Sequence, residues 1–242
     1  MSDTALELFK LGVEQLQLTL SDLQYEQLIR YRDELLDWNT RMNLTAITDA
    51  EEVLRKHFLD SLSLLQAFRH REAHVLDVGT GAGFPGLVLK IACPQWHVTL
   101  LEATGKKVMF LQHVIDALHL QRVEAMHGRA EELARQRGYR GCYDLVTARA
   151  VSALPTLLEY AAPFCRIDGT MIFPKKGDLA EEMVQARRAA PLVGAAFVAA
   201  IPITLSDLDD GRRLLIWQQQ KLCPTQYPRS GGAMAKKPLG TL

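Results

Sequence analysis

The chain has 242 residues, 48% of them hydrophobic, with 28 basic and 28 acidic side chains and a formal net charge of zero. That length suits one large α/β domain with an appendage, and the neutral total at first argues against a nucleic-acid partner. No run reaches the roughly 18 apolar residues of a membrane helix, and the first ten residues lack the basic and apolar regions of a secretion signal, so a cytoplasmic protein is expected.

Charge is unevenly placed. Residues 1–60 carry 12 acidic and 6 basic side chains, whereas residues 211–242 carry 6 basic ones and no acid. A neutral total can hide a local phosphate-binding face in this way; the alternative is a solvated basic tail. Cys93, Cys142, Cys165 and Cys223 stand far apart without a C-x-x-C pair, so buried reduced thiols are expected. No metal site is expected: His74, four residues after His70, reads as a strand start, which removes a shared helix face.

In chain order, the first seventy residues read as helices. TALELFKLGVEQLQL and LSDLQYEQLIRYRDELLDWN repeat apolar residues at helical spacing. Asp49 with Glu52 signals the start of a third helix over DAEEVLRKHFLDSLSLLQAF. The texture changes at His74. Strand-like runs HVLDV, WHVTLLE, RVEAMH, YDLVTAR and RIDGTMIFP alternate with helical stretches such as KKVMFLQHVIDALHL and AEELARQR, which predicts a mainly parallel sheet covered on both faces. Asp178 with Glu181 predicts the start of a further helix. FVAAIPI and RLLIWQQQ, joined by the short TLSDLDDG, predict a closing antiparallel hairpin, and RSGGAMAKKPLG reads as loop. The expected fold is α/β: a seven-stranded, mostly parallel Rossmann-like sheet (71–242) behind an N-terminal helical cap (1–70).

DVGTGAGFPG (77–86) packs four glycines into ten positions directly after the first strand. In a doubly wound sheet this loop borders the ligand crevice, and glycine lets backbone and ligand approach closely. Gly81-Ala-Gly83-Phe-Pro-Gly86 also reads as G-x-G-x-x-G, the pattern of a dinucleotide site. Asp77 argues the other way: a carboxylate here repels a pyrophosphate and attracts a cationic methionine end, pointing to S-adenosylmethionine. Glu102, closing the second strand, stands where an acid takes a ribose diol, a role common to both ligands. In HGRAEEL (127–133), Ala130 and Glu131 are candidates for the adenine border; alternatively Glu131 simply favours the helix dipole. Arg149 is the fixed positive charge at the end of the fourth strand, which faces the transferred group. Trp38, Asn39 and Asn43 either close over the donor or touch RNA; alternatively they belong to a packed lid whose Trp38 is core.

Together, WNTRMNLTAI, HFLDSL, LDVGTGAGFPGLVL, GKKVMFLQHV, GRAEEL, TARAV and the terminal YPRSGG…KKPLG resemble the glucose-inhibited division protein B family, from Trp38 to Leu239. These are bacterial methyltransferases acting on a guanine N7 in small-subunit ribosomal RNA. The resemblance implies the S-adenosylmethionine-dependent methyltransferase fold, S-adenosyl-L-methionine as donor, the 530 loop of 16S rRNA as target and the bacterial cytoplasm; the substrate is either free 16S rRNA or the 30S subunit, and a monomer without membrane contact is expected. It places Gly79, Phe84, Ala130, Glu131 and Arg149 at the donor, beside Asp77, Gly81, Gly83 and Glu102 from the residues themselves. LLEATGKK departs from the aspartate and serine more usual in the family at the second strand end. Lys106, Lys107, Lys175, Lys176, Arg229, Lys236 and Lys237 are candidates for the RNA phosphate track. The rival readings are an NAD-dependent oxidoreductase and a non-catalytic RNA-binding assembly factor.

Overall fold

The computed structural model describes residues 3–149, 151–205 and 210–241. Helices α1 (Asp3–Gln15) and α2 (Asp22–Asn39) form where the apolar repeat predicts them. A complete capping box opens α2: Ser21 Oγ accepts from the Gln24 N–H, and Gln24 Oε1 accepts from the Ser21 N–H at 2.8 Å. Asp49 caps α3 (Ala50–Val53) by accepting from the Glu52 N–H at 2.9 Å. The chain then passes through a wider π-helical segment, Leu54–Leu59, before α4 (Asp60–Leu62) and a 3-10 turn, Ser63–Gln66. One regular helix is expected from the sequence; the structure inserts this segment, a feature often placed at functional sites.

The sheet contains β1 (His74–Val78), β2 (His97–Glu102), β3 (Val123–His127), β4 (Tyr143–Thr147), β5 (Cys165–Lys175), β6 (Ala195–Pro202) and β7 (Arg213–Gln219), in the order β3-β2-β1-β4-β5-β7-β6. The neighbours from β3 through β5 are parallel, and β7 is antiparallel to both β5 and β6. Helices α5 (Gly86–Ala92), α6 (Gly105–Ala117), α7 (Ala130–Leu133), α8 (Leu154–Ala161) and α9 (Ala180–Ala189) link the strands, and α10 (Gly231–Lys236) follows them. The expected mixed sheet with its terminal hairpin is therefore present. From β1 the chain builds outward to β2 and β3, then returns to β4 on the other side. This reversal opens a crevice at the carboxyl ends of β1 and β4, where Asp77 pairs in register with Thr147.

Adjacent strand residues face opposite layers. Val75, Leu100, Leu145 and Ile172 join the cap residues Phe9, Leu28, Tyr31 and Phe58 in one continuous core. Leu76, Val146, Met171 and Trp217 pack on the other side against Leu157 and Phe164. The cap thus shares its core with the sheet.

Several local expectations are corrected. Asp178 is not the N-cap of α9; that position is Leu179, without a side-chain cap, while Asp178 Oδ1 accepts from the Ala180 N–H at 3.0 Å. The C-terminal stretch contains α10, because Ser230 accepts from the Ala233 N–H. Cys142 is exposed, whereas burial pushes the Cys93, Cys165 and Cys223 thiols up to about 12. AEELARQR supplies only the four-residue α7. Among the described residues, no helix is long and apolar enough to cross a membrane, and no group of three or more His, Cys, Asp or Glu side chains fits a metal ion.

Candidate active site

The glycines of the turn after β1 serve different ends. Gly81 has φ +63° and open space where a side chain would project; it presents bare backbone to the crevice. A Cβ on Gly86 would stand 2.3 Å from Leu100 Cδ2 and 2.9 Å from Asp77 Oδ2. Gly86 therefore lets α5 seat on the sheet and is no ligand contact. At Gly79 a Cβ would meet Val151, and at Gly83 the Tyr31 hydroxyl. The residues that spell the dinucleotide pattern thus include two positions devoted to internal packing.

Asp77 lies beneath this turn, fully buried. Its Oδ2 accepts from the Thr80 hydroxyl at 2.6 Å and the Gly86 N–H at 2.8 Å, while Oδ1 is buried without a hydrogen-bond partner. Burial raises its pKa to about 6, although the Thr80 and Gly86 bonds and Arg149 act in the opposite sense. At neutral pH the crevice floor therefore holds an ionised, incompletely compensated carboxylate. Such a floor favours a cation above it and opposes a diphosphate. This is the fit expected for a sulfonium and ammonium ligand.

Glu102, at the end of β2, is also buried. Its Oε2 accepts from the Gly81 N–H at 2.9 Å and its Oε1 from the Thr104 N–H at 2.8 Å. The carboxylate ties the two loops that flank the crevice, and each oxygen retains a lone pair for a ribose hydroxyl. Beside it, Val78, Gly79, Leu101, Ala103, Gly128, Ala130, Glu131, Val151 and Tyr160 line a cleft of about 180 Å³. Apolar walls from Leu101 and Ala130 with the polar Glu131 at the rim suit a flat heterocycle. The structure thus brings together Gly79, Gly81, Glu102, Ala130 and Glu131.

Phe84 is placed differently from expectation. Its ring is sealed inside the cap, 5% exposed, stacked on Tyr31 and His57 at centroid distances of 5.6 and 4.3 Å. The Tyr31 hydroxyl donates to the Ala82 carbonyl in the same turn. A phenylalanine next to proline is a hydrophobic anchor here, and its ring is no donor contact.

Arg149 enters a cluster that sequence reasoning did not assemble. Its Nη1 donates to Asp60 Oδ2 at 2.8 Å, its Nη2 to His57 Nδ1 at 2.8 Å, and its guanidinium carbon lies 5.0 Å from the Phe84 ring centre. Arg212 holds the other Asp60 oxygen at 2.6 Å. Thr45 Oγ1 lies 2.8 Å from His57 Nε2, and Asn39 braces the Thr45 loop by accepting from the Leu44 and Thr45 N–H groups. HFLDSL contains both His57 and Asp60, but their partner lies about ninety positions further on, beyond any local pattern. Trp38 packs on Phe110 and His113, and Asn43 is exposed.

The basic candidates divide into two groups. Lys175 donates to the Ser152 carbonyl at 2.9 Å and to Glu182 at 2.7 Å, so it braces the loop after Arg149 and is not an open phosphate contact. Arg229 pairs in bidentate fashion with the fully buried Glu159 and also donates to the Lys237 carbonyl, which makes it a tether for the tail. Lys106, Lys236 and Lys237 are exposed and Lys107 is half-buried; Lys176, also exposed, stands 3.7 Å from Asp210.

Comparison with known proteins gives a consistent result. The family model described as rRNA small subunit methyltransferase G matches residues 24–207. The chain is 41% identical over 234 residues to the ribosomal RNA small subunit methyltransferase G of Alkaliphilus oremlandii, covering 96% of this chain and 98% of that protein. It is 46% identical over 228 residues to the protein of the same name from Dehalococcoides mccartyi, covering 94% and 97%. Two solved structures share the fold. A mutant of MtNAS in complex with S-adenosylmethionine has a TM-score of 0.53 at 14% identity, covering 82% of this chain and 72% of that one. M. jannaschii TYW2 in complex with AdoMet has a TM-score of 0.50 at 12% identity, covering 68% and 77%.

Proposed function

The chain belongs to the rRNA small subunit methyltransferase G family, and from that premise we propose that it transfers a methyl group from S-adenosylmethionine to N7 of a guanine in the 530 loop of 16S rRNA. Within the site, the observation that carries the reading is the buried Asp77 carboxylate, with its partnerless oxygen, under an open glycine turn. Bound above it, S-adenosylmethionine supplies an electrophilic methyl group on a positively charged sulfur.

The protein's own work is positioning. Glu102 takes the ribose hydroxyls, Ala130 and Glu131 border the adenine, and the backbone of Gly79 and Gly81 closes on the methionine end. Arg149, whose Nη1 and Nη2 already donate to Asp60 and His57, offers its remaining N–H groups and its charge at the crevice edge. Guanine N7 carries an in-plane lone pair and no proton, so the displacement needs no general base. Holding nitrogen, methyl carbon and sulfur in line supplies about 7–11 kcal/mol of the barrier reduction. In an RNA helix N7 faces a groove too deep and narrow for side chains, so the target must be a loop nucleotide, extruded at a cost of about a few kcal/mol. Lys106, Lys107, Lys176, Lys236 and Lys237 are the cations proposed to follow its phosphates. The setting we propose is a monomer in the cytoplasm.

The test is methylation of 30S subunits against deproteinised 16S RNA, with the modified nucleoside mapped, alongside calorimetric titration with S-adenosylhomocysteine and fluorescence titration with NADH. Methyl incorporation at one guanine and binding of S-adenosylhomocysteine alone are expected. RNA retention without methyl incorporation, or NADH seated in the crevice, would overturn the reading.

A further inference from the structure

Arg149 places its guanidinium carbon 5.0 Å from the Phe84 ring of the glycine turn, and among the described residues its hydrogen bonds run to Lys56, His57 and Asp60. The contacts that fix it come from the cap. The π-helical segment Leu54–Leu59 carries His57, and Asp60 follows directly; together they take one nitrogen each of the guanidinium at 2.8 Å. His57 is in turn stacked on Phe84, with 20° between the ring planes, and so is fastened to the same turn.

We propose that His57 is the positioning residue for Arg149: a neutral imidazole whose Nδ1 lone pair, together with Asp60, sets the plane of the guanidinium at the donor crevice, with Thr45 fixing the tautomer. The proposal rests on the reading of Arg149 as a group of that site. A guanidinium has only donors, so His57 Nδ1 must accept from it. The remaining nitrogen, Nε2, then carries the hydrogen and donates to Thr45 Oγ1. Thr45 Oγ1 is itself oriented by accepting from the Ile47 N–H at 3.1 Å. Burial and the charges of Arg149 and Arg212 lower the His57 pKa to about 3, so it stays an acceptor throughout the neutral range.

The choice of a neutral acceptor has a physical purpose. Asp60 already lies between two guanidiniums, and Arg212 also pairs with Asp210 at 2.8 Å, so two carboxylates balance the two arginines. A further carboxylate in place of His57 would leave this cluster with an excess negative charge, and a protonated side chain would repel Arg149. A neutral imidazole orients Arg149 without altering that balance. Because Phe84 links His57 to the glycine turn, the fourth-strand loop and the first-strand loop are registered against each other through the cap.

The decisive experiment compares H57A, H57N, H57Q, T45V and R149A in the full chain. Each is assayed for methyl transfer to 30S subunits or 16S RNA at saturating donor, for S-adenosylhomocysteine affinity by calorimetry, and for unfolding by urea. H57A is expected to lower kcat by about 100-fold, the scale of a group displaced by about 1 Å, with a smaller change in donor affinity. Asparagine places its oxygen where Nδ1 stands and recovers most of kcat; glutamine reaches to the Nε2 position and does not. T45V lowers kcat in the same direction by a smaller factor. If H57A fails to fold, the contrast between H57N and H57Q decides, and equal activities of those two would overturn the proposal. Wild-type activity in H57A beside an impaired R149A would overturn it alone. Wild-type activity in R149A would overturn the underlying reading of Arg149 as well.

Discussion

Replacing Asp77 by asparagine separates the two roles of its carboxylate. Burial raises the Asp77 pKa from 3.8 to about 6, which corresponds to about 3 kcal/mol held against the folded state when the group is ionised. The sign follows from the direction. The native carboxyl binds its proton more tightly than the unfolded one, so stability is gained as pH falls through about 6, is complete below about 4, and is lost on return to neutrality. By about pH 5 the gain over about pH 7.5 is about 1.4 kcal/mol. In D77N one amide oxygen can accept from both Thr80 and Gly86, and the amide nitrogen takes the place of the partnerless oxygen, costing about 1–3 kcal/mol as an unsatisfied buried donor. The two proteins should therefore lie within about 2 kcal/mol of each other near neutrality. Urea unfolding across this range should show the difference moving by about 1.4 kcal/mol in favour of the wild type as the solution is acidified. In parallel, the wild type should bind S-adenosylhomocysteine, which keeps the ammonium, more tightly as pH rises through about 6, a trend missing from D77N. Stability differences that stay constant with pH would refute this account of the crevice floor.

Two substitutions in the glycine turn should behave differently. G81A meets only the cost of left-handed backbone, about 1–2 kcal/mol, while its methyl group enters open space; calorimetry should find donor affinity reduced by more than the stability change. G86A drives a Cβ into Leu100 and should lower stability by about 1–3 kcal/mol, measurable in urea. R229M removes the guanidinium from the fully buried Glu159 and leaves it only the residue-229 N–H as a charge-stabilising donor; it should cost about 3–5 kcal/mol, and adding E159Q should restore most of it. In E102Q one of two backbone donors meets an amide NH₂, so the loops should loosen and S-adenosylhomocysteine binding weaken by at least about tenfold, roughly 1.4 kcal/mol.

The sheet was readable because its signals are local. Strand alternation, helical spacing and the glycines after HVLDV each reflect contacts within a few residues, and the strands lie close to where that texture places them. The crevice was placed in part for the same reason: Asp77 and Glu102 stand at the carboxyl ends of β1 and β2, where a doubly wound sheet opens its crevice. What escaped depends on partners far along the chain. The basic character of Lys175 and Arg229 is plain in the sequence, but their pairing with Glu182 and Glu159 is a property of packed helices. Phe84 reads as a turn residue until Tyr31 and His57 are seen on its ring. The π-helical segment that carries His57 and leads into Asp60 is not picked out by the apolar spacing of that stretch.

The shared core has a consequence for traffic through the site. Swinging the helical cap aside would uncover Tyr31, Phe58 and Phe84, all buried, at about 1.5–3 kcal/mol apiece; that sum rivals the whole stability of an ordinary domain, about 5–15 kcal/mol. The cap is therefore a fixed jamb, and on the function proposed above the methyl donor would enter by way of the cleft lined by Ala103, Arg129 and Val151, with the helical half standing still.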